Sequence, residues 1–246
     1  MAGYYAILPA MYMTYFWQVL NQLSFDLPAF ILVITIHEYL HVITARHLLG
    51  SEHDQPRFRA KQHLDLFGTL LPICLVFSGY PIIFGWGKRT EAKFDENVHQ
   101  IALKTVFATS GIAGNLLICL LTGLVISSIP SSETLFSLTS TSIGVFMITL
   151  LFRIFAISLA MLLVNLLPIP PFDGGYLLFS LLPARFARWQ EKLQILGLLI
   201  VVSLVLTGIA SAIFFTPYQL LTEIFCGGLS PYVLNPGTFA GDFLNR

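Results

Sequence analysis

Apolar residues in this chain gather into long runs instead of alternating with polar ones. Runs near the 20 residues that cross a bilayer lie at about 4–20, 28–46, 101–129, 143–167 and 193–215, and a further apolar stretch lies at about 66–84. The first run is short and aromatic-rich, and Met1–Ala10 lacks the basic n-region of a signal peptide, so it is expected to be retained as a span. Basic residues then orient the chain. Arg46, Arg57, Arg59 and Lys61 follow the second run; Lys88, Arg89, Lys93 and Lys104 follow the 66–84 stretch; Arg185, Arg188 and Lys192 precede the last. The segments 21–27 and 130–142, read as loops, carry no basic residue.

These charges cannot all be cytoplasmic if 66–84 crosses the bilayer, and they agree if it enters and leaves on one side. Pro72, Gly79, Pro81 and Gly85 would interrupt a regular helix there. Irregular backbone at membrane depth needs protein or a cavity around it. The pattern therefore predicts a re-entrant or strand-like element near residues 66–94, with an ordinary spanning helix as the alternative. The fold expected is an α-helical polytopic membrane protein of about five to six transmembrane segments. No repeat, linker or long polar insertion divides it, so residues 1–246 read as one membrane-embedded domain.

Composition agrees: 56% of residues are hydrophobic and 11% charged, against about 25% charged in soluble domains, and mean hydropathy is +0.78. A net charge of zero gives no case for nucleic acid. Cys74, Cys119 and Cys226 lack CxxC spacing and are expected to be buried thiols, neither disulfides nor ligands.

Chemistry enters at His37-Glu38-Tyr39-Leu40-His41, an HExxH pentapeptide inside the 28–46 run. Two His four residues apart on a helix share a face with the bite a single zinc ion needs. Glu38, on a neighbouring side of the same turn, can take a proton from a water bound to that metal. Ionisable residues inside apolar spans are costly and usually functional; the bland reading is a helix whose polar side chains bond its neighbours. A second signal closes the 143–167 run, at Asn165-Leu166-Leu167-Pro168-Ile169-Pro170-Pro171-Phe172-Asp173-Gly174-Gly175. The prolines forbid continuous helix. Asp173 on the irregular segment is either a third metal ligand, leaving an open position for water, or the cap of a helix starting near Tyr176.

The HExxH of His37–His41 together with the NxxPxPxxDG of Asn165–Gly174 resembles the site-2 protease family of intramembrane zinc metalloproteases. The stretches His63–Pro72 and Phe84–Lys88 resemble its compact bacterial branch, which lacks a PDZ domain. Gly111–Asn115 resembles the family's GPxxN, with Ile112 in place of proline. The likeness covers about residues 28–182. It implies one Zn2+ ion on His37, His41 and Asp173, Glu38 as catalytic base, and Asn165 positioning the substrate backbone or the oxyanion. It also implies transmembrane protein substrates and a multi-pass protein in the lipid bilayer of the cell membrane, with the active site nearer the cytoplasmic side. An edge strand around Trp86–Phe94 would hold an unwound substrate by strand addition. A family member without activity that binds membrane helices, or a metal transporter, are the rival readings; an intact Glu38 argues against the first and the single HExxH helix against the second.

The other histidines, His47, His53, His63 and His99, read as loop or interface residues; the alternative for His63 with Asp65 is to orient a ligand His. Arg153, mid-way along a span, needs a partner or water and reads as structural. Residues 216–246 mix Pro, Gly and aromatics without a span-length run and are assigned to no element.

Overall fold

The computed structural model describes residues 2–49, 58–79, 83–88, 99–130 and 132–234. The first helix, α1 (Ala2–Leu49), joins what the hydropathy pattern separates, because residues 21–27 are helical and form no loop. Pro28 lies within this helix, where it removes one backbone hydrogen bond and crowds the carbonyl of Ser24, so packing must hold the helix through it. The polar residues that suggested a loop are instead a buried polar contact. Asp26 is fully buried, accepts from Gln22 Nε2 at 2.9 Å and pairs with Arg153 Nε at 3.3 Å. That partner is remote in sequence, so residues 21–27 alone give no hint that the charge is compensated. It also supplies the contact that Arg153 was expected to need.

After the short α2 (Ala60–His63), α3 (Leu66–Phe77) begins with Asp65 as its cap, the carboxylate accepting from Gly68 N at 2.8 Å. Twelve helical residues rise about 18 Å, well short of the roughly 30 Å hydrocarbon core. The chain turns at Ser78–Gly79, where Gly79 has a φ of 76°. It then returns as the extended segment 83–88, whose Lys88 N donates to His63 O at 2.7 Å, with an isolated antiparallel bridge between Leu64 and Gly87. Both ends of the excursion therefore meet, which is the re-entrant alternative. It is helical on the way in, and its strand character is limited to this bridge; residues 89–94 of the expected edge strand lie outside the described residues. The hairpin is tight: a Cβ at Gly68 would strike Trp86 O, and one at Gly85 would strike Gly68 O and come within 2.8 Å of Phe30. Tyr15 OH of α1 donates to Phe77 O at 2.7 Å and ties down the far end.

The remaining helices are α4 (His99–Ser127), α5 (Ser132–Leu138), α6 (Ser142–Asn165), α7 (Asp173–Leu181), α8 (Ala187–Leu206), α9 (Ile209–Cys226) and α10 (Ser230–Leu234). Three described helices are long and apolar enough to cross a membrane, over Met13–Leu49, Ile101–Ser127 and Ser142–Asn165; Leu66–Phe77 and Lys192–Leu206 are shorter apolar helices. The 193–215 run is broken at Gly208, whose φ of 77° ends α8 and starts α9. The region from Thr216, unassigned in sequence, continues α9 and buries Tyr218, Thr222 and Cys226. Residues 235–246 lie outside the described set.

Helices α1, α4 and α6 pack on one another, and α7 packs on α4. One core joins α1, α3, α6 and α8 through Phe30, Val33, Leu75, Met161 and Val201; a second joins α4, α6 and α9 through Cys119, Phe155, Leu159 and Tyr218. In lipid such packing depends on close van der Waals fit and small residues. Gly114 illustrates it, since a Cβ there would collide with Leu40 Cδ1. Cys119 and Cys226 are buried free thiols, as expected; Cys74 is exposed, because α3 buries the Pro72, Leu75 and Val76 side instead.

Candidate metal centre

Helical periodicity carries His37 and His41 to the same face of α1, and the Pro168–Pro171 break lets the chain turn from α6 into α7 so that Asp173 meets them. His37 Nε2 lies 3.5 Å from Asp173 Oδ2, and His41 Nε2 lies 3.3 Å from Asp173 Oδ1. All three side chains are buried. The N-cap of α7 is Phe172, with Asp173 its first helical residue. The carboxylate therefore sits at the imidazoles and not in the capping position that was its alternative.

Zinc bonds of about 2.0–2.1 Å set tetrahedral ligand atoms roughly 3.4 Å apart, so these spacings fit a metal ion. The three ligand atoms lie within 4.8 Å of one another. The hydrogen-bonding of the rings agrees with that fit. His41 Nδ1 lies 3.1 Å from Phe107 O and 3.0 Å from Ser110 Oγ. A carbonyl only accepts, so Nδ1 carries the hydrogen and Nε2 keeps its lone pair. Asn115 reaches His37 Nδ1 at 3.2 Å, and its Oδ1 is buried with no other hydrogen bond. With Oδ1 turned to the ring it accepts from Nδ1–H, and His37 Nε2 is likewise free for a metal. Ser158 Oγ donates to Asn115 O at 2.9 Å and steadies this part of α4 against α6.

Gly111 on α4 leaves open the space between the side chains of His37, His41 and Asp173. A Cβ there would strike His37 Cε1 and His41 Nε2 and lie 2.6 Å from Asp173 Oδ2. Gly87 plays a matching part beside Glu38: a Cβ would come within 2.6 Å of Glu38 Cγ and 2.8 Å of its Oε1. The returning segment of the hairpin thus runs directly over the glutamate.

A cavity of about 320 Å³ opens beside these groups, lined by Glu38, Asp65, Trp86, Lys88, Asn165 and Gln194 among others. Asn165 ends α6 with its Nδ2 donating to Met161 O at 2.9 Å. All five residues singled out in the sequence, His37, Glu38, His41, Asn165 and Asp173, border this one cavity. His63 is buried beside Tyr39, ring centroids 6.4 Å apart, and Asp65 lines the cavity. The partners of His37 Nδ1 and His41 Nδ1 named above come from α4, where the sequence had suggested the 63–65 pair. His47 is exposed; His53 and the side chain of His99 lie outside the described residues.

Ser110, Phe107 and Gln194 were missed in the sequence, and Asn115 was noticed without a role. For Asn115 a signal existed, a carboxamide within an apolar run after the small residues Gly111 and Gly114. Phe107 acts through its backbone carbonyl, and no sequence pattern reveals that.

A family model described as peptidase family M50 matches residues 66–208, more than half of the chain. The matched range contains Asn165 and Asp173 and begins after the HExxH of α1, which joins it only in space. No curated protein and no solved structure matches the chain.

Proposed function

This chain belongs to peptidase family M50, and from that premise we propose that it is an intramembrane zinc metalloendopeptidase cutting transmembrane protein substrates. The observation that carries this reading is the convergence of His37 Nε2, His41 Nε2 and the Asp173 carboxylate around the space left by Gly111. His37, His41 and Asp173 would hold the ion. Zinc bound there supplies a Lewis acid that polarises the scissile carbonyl and acidifies water.

The remaining work falls to the chain's own residues. Glu38 lines the cavity within the same turn as the two His. It accepts the proton from the attacking water and delivers it to the leaving amine, so that the amine departs neutral. Asn165 is anchored to Met161 O by one amide hydrogen and keeps its other polar positions for the substrate backbone. His37, Glu38, His41 and Asp173 are buried, and the lower local dielectric strengthens each of these polar interactions. A substrate helix has to unwind locally before its peptide can enter, because a helical amide is already paired within its own turn. The Gly85–Lys88 segment, extended and bordering the cavity, is a suitable surface for such an unwound stretch.

Arg46 and Lys61 close to the ends of the site-bearing elements, with Lys88 at the cavity, favour a location toward the cytoplasmic face of the cell membrane. The whole chain is read as one membrane-embedded domain, since α1 supplies two ligands, α7 the third and α4 their support.

The test compares purified wild type with Glu38→Gln on a panel of single-span reporter proteins, with bound zinc quantified in both. Equal zinc with cleavage reduced at least about 100-fold in the variant supports the reading. Absence of zinc from both proteins defeats it, as does undiminished cleavage by the variant.

A further inference from the structure

Gln194 is a polar side chain of the cavity that the mechanism above does not use. Between Lys192 and Ser203, α8 has a single polar side chain, Gln194. It lines the catalytic cavity, and its Nε2 donates to Tyr176 OH of α7 at 2.6 Å. The orientation of α8 makes this placement firm. At Gly197, one turn on, a Cβ would strike Pro170 O and come within 2.6 Å of Ile169 Cγ2, so α8 lies against the unwound segment before Asp173. Leu198 lines the same cavity and Val201 is buried in the core. Gln194, Gly197, Leu198 and Val201 follow the i, i+3, i+4, i+7 spacing of one helical face, and that face looks inward.

A carboxamide in an apolar helix is costly unless its hydrogen-bonding groups are used. Tyr176 engages one pole of Gln194, and among the described residues the carbonyl pole has no protein hydrogen bond. We propose that Gln194 is a substrate-binding residue, its Oε1 accepting a backbone N–H of the unwound substrate peptide while Tyr176 holds the amide in place. An unwound membrane segment brings free N–H and C=O groups into a site with little water, where each needs a partner. Two carboxamides then border the cavity for that purpose, Asn165 from α6 and Gln194 from α8. Their recognition is of main chain and not of side chain, so it suits substrates of varied apolar sequence.

This inference rests on the protease reading, and the experiment separates the two. Steady-state cleavage of a single-span reporter is measured for full-length wild type, Gln194→Met, Tyr176→Phe and the double variant, with zinc content and melting temperature for each. Reporter affinity is also measured in a Glu38→Gln background with and without Gln194→Met. Methionine keeps the length and packing of the side chain and removes only its polarity. Loss of one backbone hydrogen bond predicts KM and reporter Kd raised about five- to tenfold, with kcat within about twofold and zinc and melting temperature unchanged. Tyr176→Phe gives a smaller rise of about two- to threefold, and the double variant is no worse than Gln194→Met, because the tyrosine acts through the glutamine. An unchanged KM and Kd in Gln194→Met overturns the proposal while wild-type cleavage leaves the protease reading standing. A fall in kcat and melting temperature at constant KM also overturns it, in favour of a packing role. A wild type that neither cleaves nor binds any reporter brings down the protease reading and this inference with it.

Discussion

Substituting Gly111 by alanine tests the metal centre directly, because the new methyl has no room beside the three side chains that meet there. The new methyl would lie 2.6 Å from Asp173 Oδ2 and would collide with His37 Cε1 and His41 Nε2. Carbon contacts settle at about 3.5–4.0 Å, so at least the carboxylate must retreat by about 1 Å. Metal–ligand distances tolerate roughly 0.2 Å. The ligand triangle, now 3.3 and 3.5 Å along the two His–Asp edges, cannot open that far and keep its grip. Zinc affinity should therefore fall by more than about 100-fold, beyond the usual effect of losing an outer partner, and cleavage should fall with it. The fold gains nothing in return: alanine's advantage over glycine of about 1 kcal/mol in a helix interior is offset by overpacking against the two imidazoles and the carboxylate, which costs about 1–3 kcal/mol. Zinc occupancy measured across a series of buffered zinc concentrations, beside melting curves in chelator, reads both effects. A Gly111→Ala protein with wild-type zinc affinity and more than half of the wild-type cleavage would falsify the placement of the ion in that space.

Two further perturbations test the supports around this centre. Asn115→Ala removes the partner of His37 Nδ1 and should weaken zinc binding about 10- to 100-fold; cleavage should drop at limiting zinc and recover with excess metal, and failure to recover would point to a different role for Asn115. Arg153→Met leaves Asp26 buried without its counter-charge and should cost about 3 kcal/mol or more of stability in detergent micelles. The Asp26→Asn, Arg153→Met double variant should regain most of that loss. A single variant as stable as wild type would mean the contact contributes little.

Much of the chemistry was legible in the chain because it is local. An HExxH spacing on a helix determines that two imidazoles share a face, whatever surrounds them, and the prolines at 168, 170 and 171 determine that the span must unwind before Asp173. Hydropathy likewise required an apolar helical protein, since helices satisfy their own backbone in lipid. The basic residues on both sides of 66–84, with its prolines and glycines, pointed to a re-entrant excursion, and the hydrogen bond from Lys88 N to His63 O closes it.

What escaped the sequence depends on contacts between residues far apart along it. Residues 21–27, between two apolar runs, were read as a loop; Arg153 pairs with Asp26 from another helix, and α1 runs on unbroken. The ring orientations of His37 and His41 are governed by Asn115, Ser110 and a backbone carbonyl of α4, none of which lies near the HExxH in sequence. Gln194 gains its significance only because Gly197 brings α8 against the segment before Asp173. Periodicity along one helix decides which side chains share a face; only packing decides what that face meets, because close approach is a property of pairs of helices and is encoded in neither one alone.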